Sequence, residues 1–272
     1  MPAPVNLFKK ALREDRGLLT GLWVALANPH SAEICAGAGF DWILIDAEHG
    51  PNDIPLIAAQ LAAIARHPSH PVVRLPVGEP WLIKQALDIG AQTLMIPMVE
   101  TGEQAELLAK ALRYPPDGIR GMGASLGRAS NFGRIADYAE TANAQVCLIA
   151  QIESRLGVEN ADQILAVEGV DAVLIGPADL SADMGYGGKA TVPEVMQTVE
   201  ALIGKIKAAG KPAGIMTGDP EMIALARRAG VRFMANGTDT WLLANAAAAM
   251  AEKMRGEDGC DPSPAPKTGG YS

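Results

Sequence analysis

The chain has 272 residues and a formal net charge of -8, and 49% of its residues are hydrophobic. This length and apolar content are typical of one large α/β domain and exclude an intrinsically disordered chain. The acidic balance, without a long basic run, argues against nucleic acid as a partner, because phosphate binding needs clustered Lys and Arg.

Short apolar runs alternate with amphipathic segments from one end of the chain to the other. Near-continuous apolar runs are typical of parallel strands that are covered on both faces. Eight such runs predict strands over Thr20–Leu26, Asp41–Ala47, Pro71–Pro76, Thr93–Val99, Val146–Ile152, Ala172–Gly176, Ala213–Thr217 and Arg232–Asn236.

The segments between these runs carry the apolar spacing of helices. Helices are predicted over Asp53–Arg66, Pro80–Ile89, Glu103–Leu112, Glu194–Ala209 and Pro220–Ala229. The stretches AGAGFDWILID, DIGAQTLMIP and RRAGVRFMANG each repeat the order helix, glycine, strand. This order predicts an α/β fold of the TIM (β/α)8 barrel type. A doubly wound sheet is the alternative, but the GxGxxG turn typical of it does not follow the first predicted strand.

Two segments depart from the barrel repeat. Tyr114–Ala144 is long and rich in Gly and Arg, and we expect it to cover a site or to contact a partner subunit. Residues 256–272 are rich in Pro, Gly and Ser, which predicts a disordered tail. The expected organisation is therefore a single barrel domain over residues 1–255, followed by that tail.

The cysteines and the first residues of the chain bear on its compartment. Cys35, Cys147 and Cys260 are too few and too scattered for a disulfide framework or a zinc ribbon, and their odd number fits a reducing compartment. Apolar runs stay short of the ~20 residues that span a bilayer, and Met1–Arg16 lacks the apolar core of a signal peptide. We expect a cytoplasmic protein without a membrane partner.

Polar residues that directly follow the apolar runs form the candidate site, because a barrel places its active site at the C-terminal ends of its strands. They are Asp46, Glu48, His49, Arg74, Gln151, Glu153, Asp179 and Ser181. Arg74 interrupts the apolar run VVRLP, so its charge needs an anionic partner. A structural carboxylate of the chain is one candidate for that partner, and a substrate carboxylate or a developing oxyanion is an equally good one.

Two acids follow neighbouring predicted strands. Glu153 and Asp179 would offer oxygen ligands to Mg²⁺ or Mn²⁺ and leave positions open for a 2-oxo acid. The alternative is that each acid only caps a helix or lies in its first turn. Because both acids lie beyond apolar runs, the metal site is the favoured interpretation.

His49 is the candidate proton carrier, since histidine titrates close to neutral pH and His49 follows a strand beside two acids. A hydrogen-bonded turn histidine is the alternative. His30, His67 and His70 are predicted to be solvated residues of turns. The lysines fall in predicted helices, in loops or near the termini, which disfavours Schiff-base catalysis.

The candidate residues lie in longer stretches with a recognisable pattern, between about Gly21 and about Ala251. The stretches are AGAGFDWILIDAEHGPND, PVVRLP, IKQALDIGAQTLMIPMV, RYPPDGIRGMG, RAS, QIESRLGVEN and VEGVDAVLIGPADLSADMGY. In this order they resemble the HpcH/HpaI family of class II pyruvate aldolases. The combination of DAEH, QIE and GPADLSADMG is specific, although no single fragment would be. The residues RLPVGEP after Arg74 and the tail are the departures from the family pattern.

The resemblance implies catalytic roles for three residues. His49 would be the proton acceptor, and Arg74 would stabilise the transition state. Asp88 would raise the basicity of that histidine. The role of Asp88 comes from the resemblance alone.

The resemblance also implies a set of binding residues. Glu153 and Asp179 would bind a divalent cation, that is Mg²⁺, Mn²⁺ or Co²⁺. Gln151, the backbone of Ala178 and Asp179 itself would contact the 2-oxo acid, and Trp23 would line the site.

The reaction that the resemblance implies is the reversible cleavage of a 4-hydroxy-2-oxo acid to pyruvate and an aldehyde, through a metal-bound pyruvate enolate. 4-hydroxy-2-oxoheptanedioate and succinic semialdehyde are examples of the two small-molecule partners. The family also assembles as homohexamers, trimers of dimers whose barrels exchange their last helix, here Trp241–Met254. Cleavage of a sugar-acid-derived 2-keto-3-deoxy acid, an acyl-CoA lyase of the citrate-lyase-β kind, and a non-enzymatic metabolite-binding barrel are the alternatives.

Overall fold

The structure is a computed structural model that describes residues 1–14 and 16–257. Most of the predicted tail, residues 258–272, lies outside the described residues. Within the described ranges, eight parallel strands pair in sequence order, and the last strand pairs with the first to close a barrel. The predicted (β/α)8 barrel is thereby confirmed. The strands are β1 (Leu19–Val24), β2 (Trp42–Asp46), β3 (His70–Arg74), β4 (Thr93–Ile96), β5 (Cys147–Ile152), β6 (Ala172–Ile175), β7 (Ala213–Met216) and β8 (Phe233–Thr238).

Helices precede β1, lie between the strands and follow β8. They are α1 (Leu7–Arg13), α2 (Pro29–Ala36), α3 (Ile54–Ile64), α4 (Pro80–Asp88), α5 (Gly102–Leu112), α6 (Tyr138–Thr141), α7 (Arg155–Glu159), α8 (Ala161–Ala166), α9 (Pro177–Asp183), α10 (Pro193–Ala208), α11 (Pro220–Ala229) and α12 (Asp239–Glu257). Side-chain caps start several of them: Asp53, Thr101 and Ser154 each accept a hydrogen bond from an N–H of the first turn. Across residues 1–14 and 16–257, no helix is long and apolar enough to cross a membrane.

The inside of the barrel is filled by the side chains that alternate inward along the strands. Trp42 and Phe233 are large members of this layer, and both are fully buried. A glycine on the neighbouring strand leaves space for each ring. A Cβ at Gly21 of β1 would lie 2.2 Å from the Trp42 ring, and a Cβ at Gly214 of β7 would lie 2.2 Å from the Phe233 ring. Burying a large apolar side chain contributes ~1.5–3 kcal/mol each, so this layer is a main source of stability.

The N-terminal end of the barrel is closed by α1. Phe8 of this helix packs against Trp42 and Phe233, with ring centroids 5.9 and 5.6 Å apart, and stacks on His70 at 5.8 Å. His70 Nε2 shares a hydrogen bond of 2.9 Å with Thr93 Oγ1. Burial lowers the pKa of His70 to about 4. The prediction of a solvated turn residue was therefore wrong for His70, which begins β3 beneath α1.

Candidate active site

Every second side chain of a strand faces into the barrel, and this alternation continues to the C-terminal ends of the strands, which form the mouth of the barrel. On β2 the inward positions Trp42 and Leu44 are followed by Asp46, and on β3 Val72 is followed by Arg74. Asp46 and Arg74 are direct neighbours in the β2–β3 register. The same period of two that fills the barrel with apolar side chains thus places polar ones at its C-terminal end.

Arg74 has carboxylate partners within its own chain. It is 2% exposed, and its Nε and Nη2 donate hydrogen bonds of 2.8 Å to the two carboxylate oxygens of Asp46. Its Nη1 lies 2.6 Å from Glu48 Oε2, and its guanidinium lies 4.2 Å from the centre of the Trp23 ring. The anionic partner that the sequence left open is therefore a pair of protein carboxylates, which hold the guanidinium in one plane.

His49 lies on the β2–α3 loop, which Asp46 organises. Asp46 Oδ1 accepts from the backbone N–H of Glu48 at 3.0 Å and of His49 at 3.4 Å. The Asn52 side chain donates to the Asp46 carbonyl at 2.6 Å, and a Cβ at Gly50 would lie 2.4 Å from that same oxygen. The loop is thus tightly fixed, while the His49 side chain remains exposed at the mouth.

Glu153 is a buried carboxylate held by two donors. It is 3% exposed; Oε1 accepts from the Met98 N–H at 2.9 Å, and Oε2 accepts from the Gln151 side chain. Burial raises the pKa of Glu153 to about 7. The negative charges of Asp179 and Glu48 raise this pKa further, whereas the Met98 and Gln151 hydrogen bonds lower it. Three carboxylates therefore lie close enough to repel one another.

The two predicted metal ligands are both at the mouth, and their environments differ. Glu153 is not a helix cap, because Ser154 caps α7. Asp179 lies in the first turn of α9 beside Ala178, and both residues are exposed. Gly176 leaves the space for Glu153: a Cβ there would lie 2.5 Å from Oε2 and 2.9 Å from the Glu153 Cβ.

The donor set at the mouth fits a hard divalent cation. Its acids supply oxygen atoms, and their mutual repulsion would be relieved by a positive ion. Two buried polar atoms near these acids could bind a ligand, because within the described residues Gln151 Oε1 and Trp23 Nε1 have no hydrogen-bond partner. The same part of the chain contains no complete set of three His, Cys, Asp or Glu ligands. Water or substrate oxygens would have to complete the coordination of any cation held here.

Asp88 is not brought to His49 within one chain. It ends α4, which runs from the mouth after β3 back to the start of β4, so Asp88 lies at the opposite end of the barrel. There Arg120 Nη2 donates to Asp88 Oδ1 at 2.7 Å. Arg120 is 2% exposed and stacks over the Tyr114 ring at 4.3 Å. In this chain the long Tyr114–Ala144 segment therefore packs on the end of α4.

Sequence reasoning missed two residues that shape the Glu153 site. Met98 donates its backbone N–H, which no side-chain pattern reveals, and its positive φ of 50° is rare for a residue with a side chain. Gly176 had a visible signal, since a glycine directly after an apolar run and before a helix indicates a close approach.

Together these features define a (β/α)8-barrel enzyme whose mouth holds acids, a histidine and an ion-paired arginine. The model of the HpcH/HpaI aldolase/citrate lyase family matches residues 19–246, and the chain belongs to this family. It is an aldolase, a lyase acting on small molecules, as the resemblance of its motifs indicated.

Relatives extend the similarity over nearly the whole chain. A hydroxypyruvate/pyruvate aldolase of Roseovarius nubinhibens is 53% identical over 258 residues, which are 95% of this chain and 100% of the relative. A 4-hydroxy-2-oxo-heptane-1,7-dioate aldolase of Klebsiella pneumoniae is 50% identical over 92% of this chain and 94% of its own. A crystal structure of a family member from Burkholderia cenocepacia is similar with a TM-score of 0.87 and 43% identity, covering 92% of this chain and 100% of that one.

Proposed function

We propose that this aldolase depends on a divalent cation and reversibly cleaves 4-hydroxy-2-oxo acids to pyruvate and an aldehyde. The observation that carries the proposal is the convergence of Glu153, Asp179 and Glu48 at the barrel mouth. Burial raises the pKa of both Glu153 and Glu48, the charge of Asp179 raises both further, and the charge of Glu48 also raises the pKa of Glu153. Pyruvate appears in the name of the Roseovarius relative, and a 4-hydroxy-2-oxo acid in that of the Klebsiella relative. Mg²⁺, Mn²⁺ and Co²⁺ are the candidate cations.

Glu153 and Asp179 would hold the cation, which supplies Lewis-acid chemistry to the 2-oxo acid when it is bound. Gln151 offers its unpartnered Oε1, and Ala178 and Asp179, in the first turn of α9, would also contact the 2-oxo acid. Trp23 forms the wall of the site next to the guanidinium that it stacks on. These residues orient the substrate so that its C4 hydroxyl faces the exposed histidine of the β2–α3 loop.

His49 removes the proton from the C4 hydroxyl, and the C3–C4 bond breaks to release the aldehyde. The electron pair of that bond passes to the 2-oxo group as an enolate, and Arg74 balances the negative charge on its oxygen. A proton returned to C3 completes pyruvate. Because Asp46 and Glu48 fix the guanidinium before substrate arrives, little reorganisation is needed during the reaction.

The proposed role of Asp88, raising the basicity of His49, has a geometric consequence. Asp88 ends α4 at the far end of its own barrel, so the acid would have to come from a neighbouring subunit.

The proposed hexamer, a trimer of dimers that exchange Trp241–Met254, would supply such neighbouring subunits. Apolar side chains exposed on α12 support that exchange: Trp241 is 55%, Leu243 61% and Met254 62% exposed. We further propose a cytoplasmic location.

An acyl-CoA lyase would need a basic patch for the phosphates of the coenzyme. Arg120, Arg128 and Arg134 of the long segment could supply such a patch. Arg120 is buried against Asp88, and Arg128 donates to the Ile89 carbonyl, which leaves Arg134 as the exposed one of the three. The 2-oxo acid aldolase is therefore the better proposal.

The test is pyruvate release from 4-hydroxy-2-oxo acids built on succinic semialdehyde, glyceraldehyde or tartronate semialdehyde. The protein is assayed after treatment with a chelator, and then after Mg²⁺, Mn²⁺ or Co²⁺ is added. We expect activity to vanish with the chelator and to return with the cation. Malyl-CoA serves as the comparison substrate and should not be cleaved. Full activity in strong chelator, or trapping of pyruvate on a lysine by borohydride, would overturn the proposal.

A further inference from the structure

The backbone that holds Glu153 from the β4 side has an unfavourable conformation. Met98 has a φ of 50°, in the left-handed region that residues with a side chain rarely adopt. Such a residue keeps this conformation only when its surroundings impose it. In this conformation the Met98 N–H points at Glu153 Oε1 and donates a hydrogen bond of 2.9 Å. Something near Met98 must therefore hold the loop.

Gln104, in the first turn of α5, bridges the two sides of this loop. Its Nε2 donates to the Met98 carbonyl at 3.1 Å, and its Oε1 accepts from the Glu100 N–H at 2.8 Å. Glu100 is also held by the two ends of α7: the Ser154 hydroxyl donates to its carboxylate at 2.6 Å, and the Asn160 side chain donates to its carbonyl at 2.9 Å. Gln104 is thus the side chain that ties Met98 to an already fixed neighbour.

We propose that Gln104 is a positioning residue for the cation site, acting through Met98 on Glu153. The inference rests on the proposed function, in which Glu153 binds the cation. The Met98 N–H and the Gln151 side chain each occupy one lone-pair direction of Glu153, one on each oxygen. The remaining lone pairs are left for the cation. Without Gln104, Met98 relaxes from its left-handed φ, its N–H turns away, and the Glu153 carboxylate is no longer held in one orientation.

Helix capping alone does not account for these contacts. Thr101 and Gln104 have the spacing of a capping box, in which the third residue of the helix accepts from the N–H of the cap. The Oε1 of Gln104 serves this kind of role by accepting from the Glu100 N–H. Its Nε2, however, donates to the Met98 carbonyl, which caps nothing in α5. The hydrogen bond donated by Gln104 Nε2 therefore distinguishes a role in positioning Met98 from a role in capping α5.

The test separates the two halves of the amide. Gln104→Glu keeps the accepting oxygen and loses the donor, whereas Gln104→Ala loses both. Mn²⁺ alone is titrated into the metal-free full-length protein, and the free ion is measured by electron paramagnetic resonance. We expect both variants to raise the Mn²⁺ dissociation constant by about 10-fold or more, as loss of a group that orients a ligand does. Gln104→Glu should keep the thermal midpoint of the wild type.

Glu103→Gln is the matched control, because it changes the charge of the same exposed turn without touching Met98. It should leave Mn²⁺ affinity unchanged. If charge alone mattered, Gln104→Glu would bind Mn²⁺ more tightly than the wild type, and this result would overturn the inference. Wild-type affinity in both Gln104 variants would overturn it as well. A wild-type protein that binds no Mn²⁺ would instead refute the proposed function on which it rests.

Discussion

Asp46 and Arg74 face each other across two neighbouring strands and share two parallel hydrogen bonds of 2.8 Å between carboxylate and guanidinium. Both side chains are nearly fully buried, at 4% and 3% exposure. Asp46 also accepts from the backbone of the loop that carries His49. One carboxylate therefore links the arginine of the site to its candidate base.

Asp46→Asn should destabilise the barrel, because the Arg74 guanidinium would stay buried with one of its two carboxylates removed. Breaking a buried ion pair typically costs about 3–5 kcal/mol, and urea unfolding at neutral pH measures it. Glu106→Gln is the control, since the Glu106–Lys110 pair is exposed on α5 and should leave the unfolding midpoint unchanged. Equal midpoints for Asp46→Asn and the wild type would show that the pair is not structural.

Gly176→Ala should disable the site while the barrel still folds. The new Cβ would lie 2.5 Å from Glu153 Oε2 and 2.9 Å from the Glu153 Cβ, so the carboxylate must move. A displacement of about 1 Å can lower turnover about 100-fold, and we expect a loss of that size in pyruvate release. Gly204→Ala is the matched control, because a Cβ there meets nothing within 4 Å. If Gly176→Ala retained wild-type turnover, the position of Glu153 would not matter for the reaction.

His49→Ala should lower turnover by about 10²–10⁴-fold, the usual contribution of a general acid–base group. The His49 side chain is exposed, so the thermal midpoint should not change. His30→Ala provides the comparison, as His30 is also exposed and lies in the first turn of α2, on a surface that it shares with Glu33 and Arg66. A His49 variant with wild-type turnover would assign the base to another group.

Stability should depend on pH through His70 at the other end of the barrel. Its pKa is about 4 in the folded chain and about 6.5 when unfolded, so the unfolded chain binds a proton that the folded one does not. The free energy of unfolding should fall as pH is lowered from 6.5 towards 4, by at most about 3 kcal/mol from this residue. Urea unfolding at several pH values should give a shallower dependence for His70→Asn. Identical curves for both proteins would contradict this assignment.

Much of the fold was visible in the sequence, because strands buried on both faces leave apolar runs that are hard to mistake. Acids directly after those runs, such as Glu153 and Asp179, could be assigned to the mouth for the same reason. Contacts between distant segments were not predictable. The burial of His70 depends on how Phe8 of α1 packs beneath the barrel. The partners of Arg74 depend on the register of β2 and β3.

The location of Asp88 shows the limit of a motif. The resemblance assigns it a role at His49, whereas the direction of α4 takes it to the far end of the same barrel. A sequence motif identifies the residue type, but it does not tell whether Asp88 and His49 meet within one subunit or between two. A variant such as Asp88→Asn, mixed with an inactive His49→Ala protein, would report whether activity is restored across subunits.

Anomalous scattering from crystals grown with Mn²⁺ would locate the cation that Glu153 and Asp179 are proposed to bind. We expect one strong peak between the carboxylates of Glu153 and Asp179, and its loss in Glu153→Gln. A peak elsewhere, or these carboxylates turned apart with no cation between them in an enzyme that remains active, would contradict this proposal.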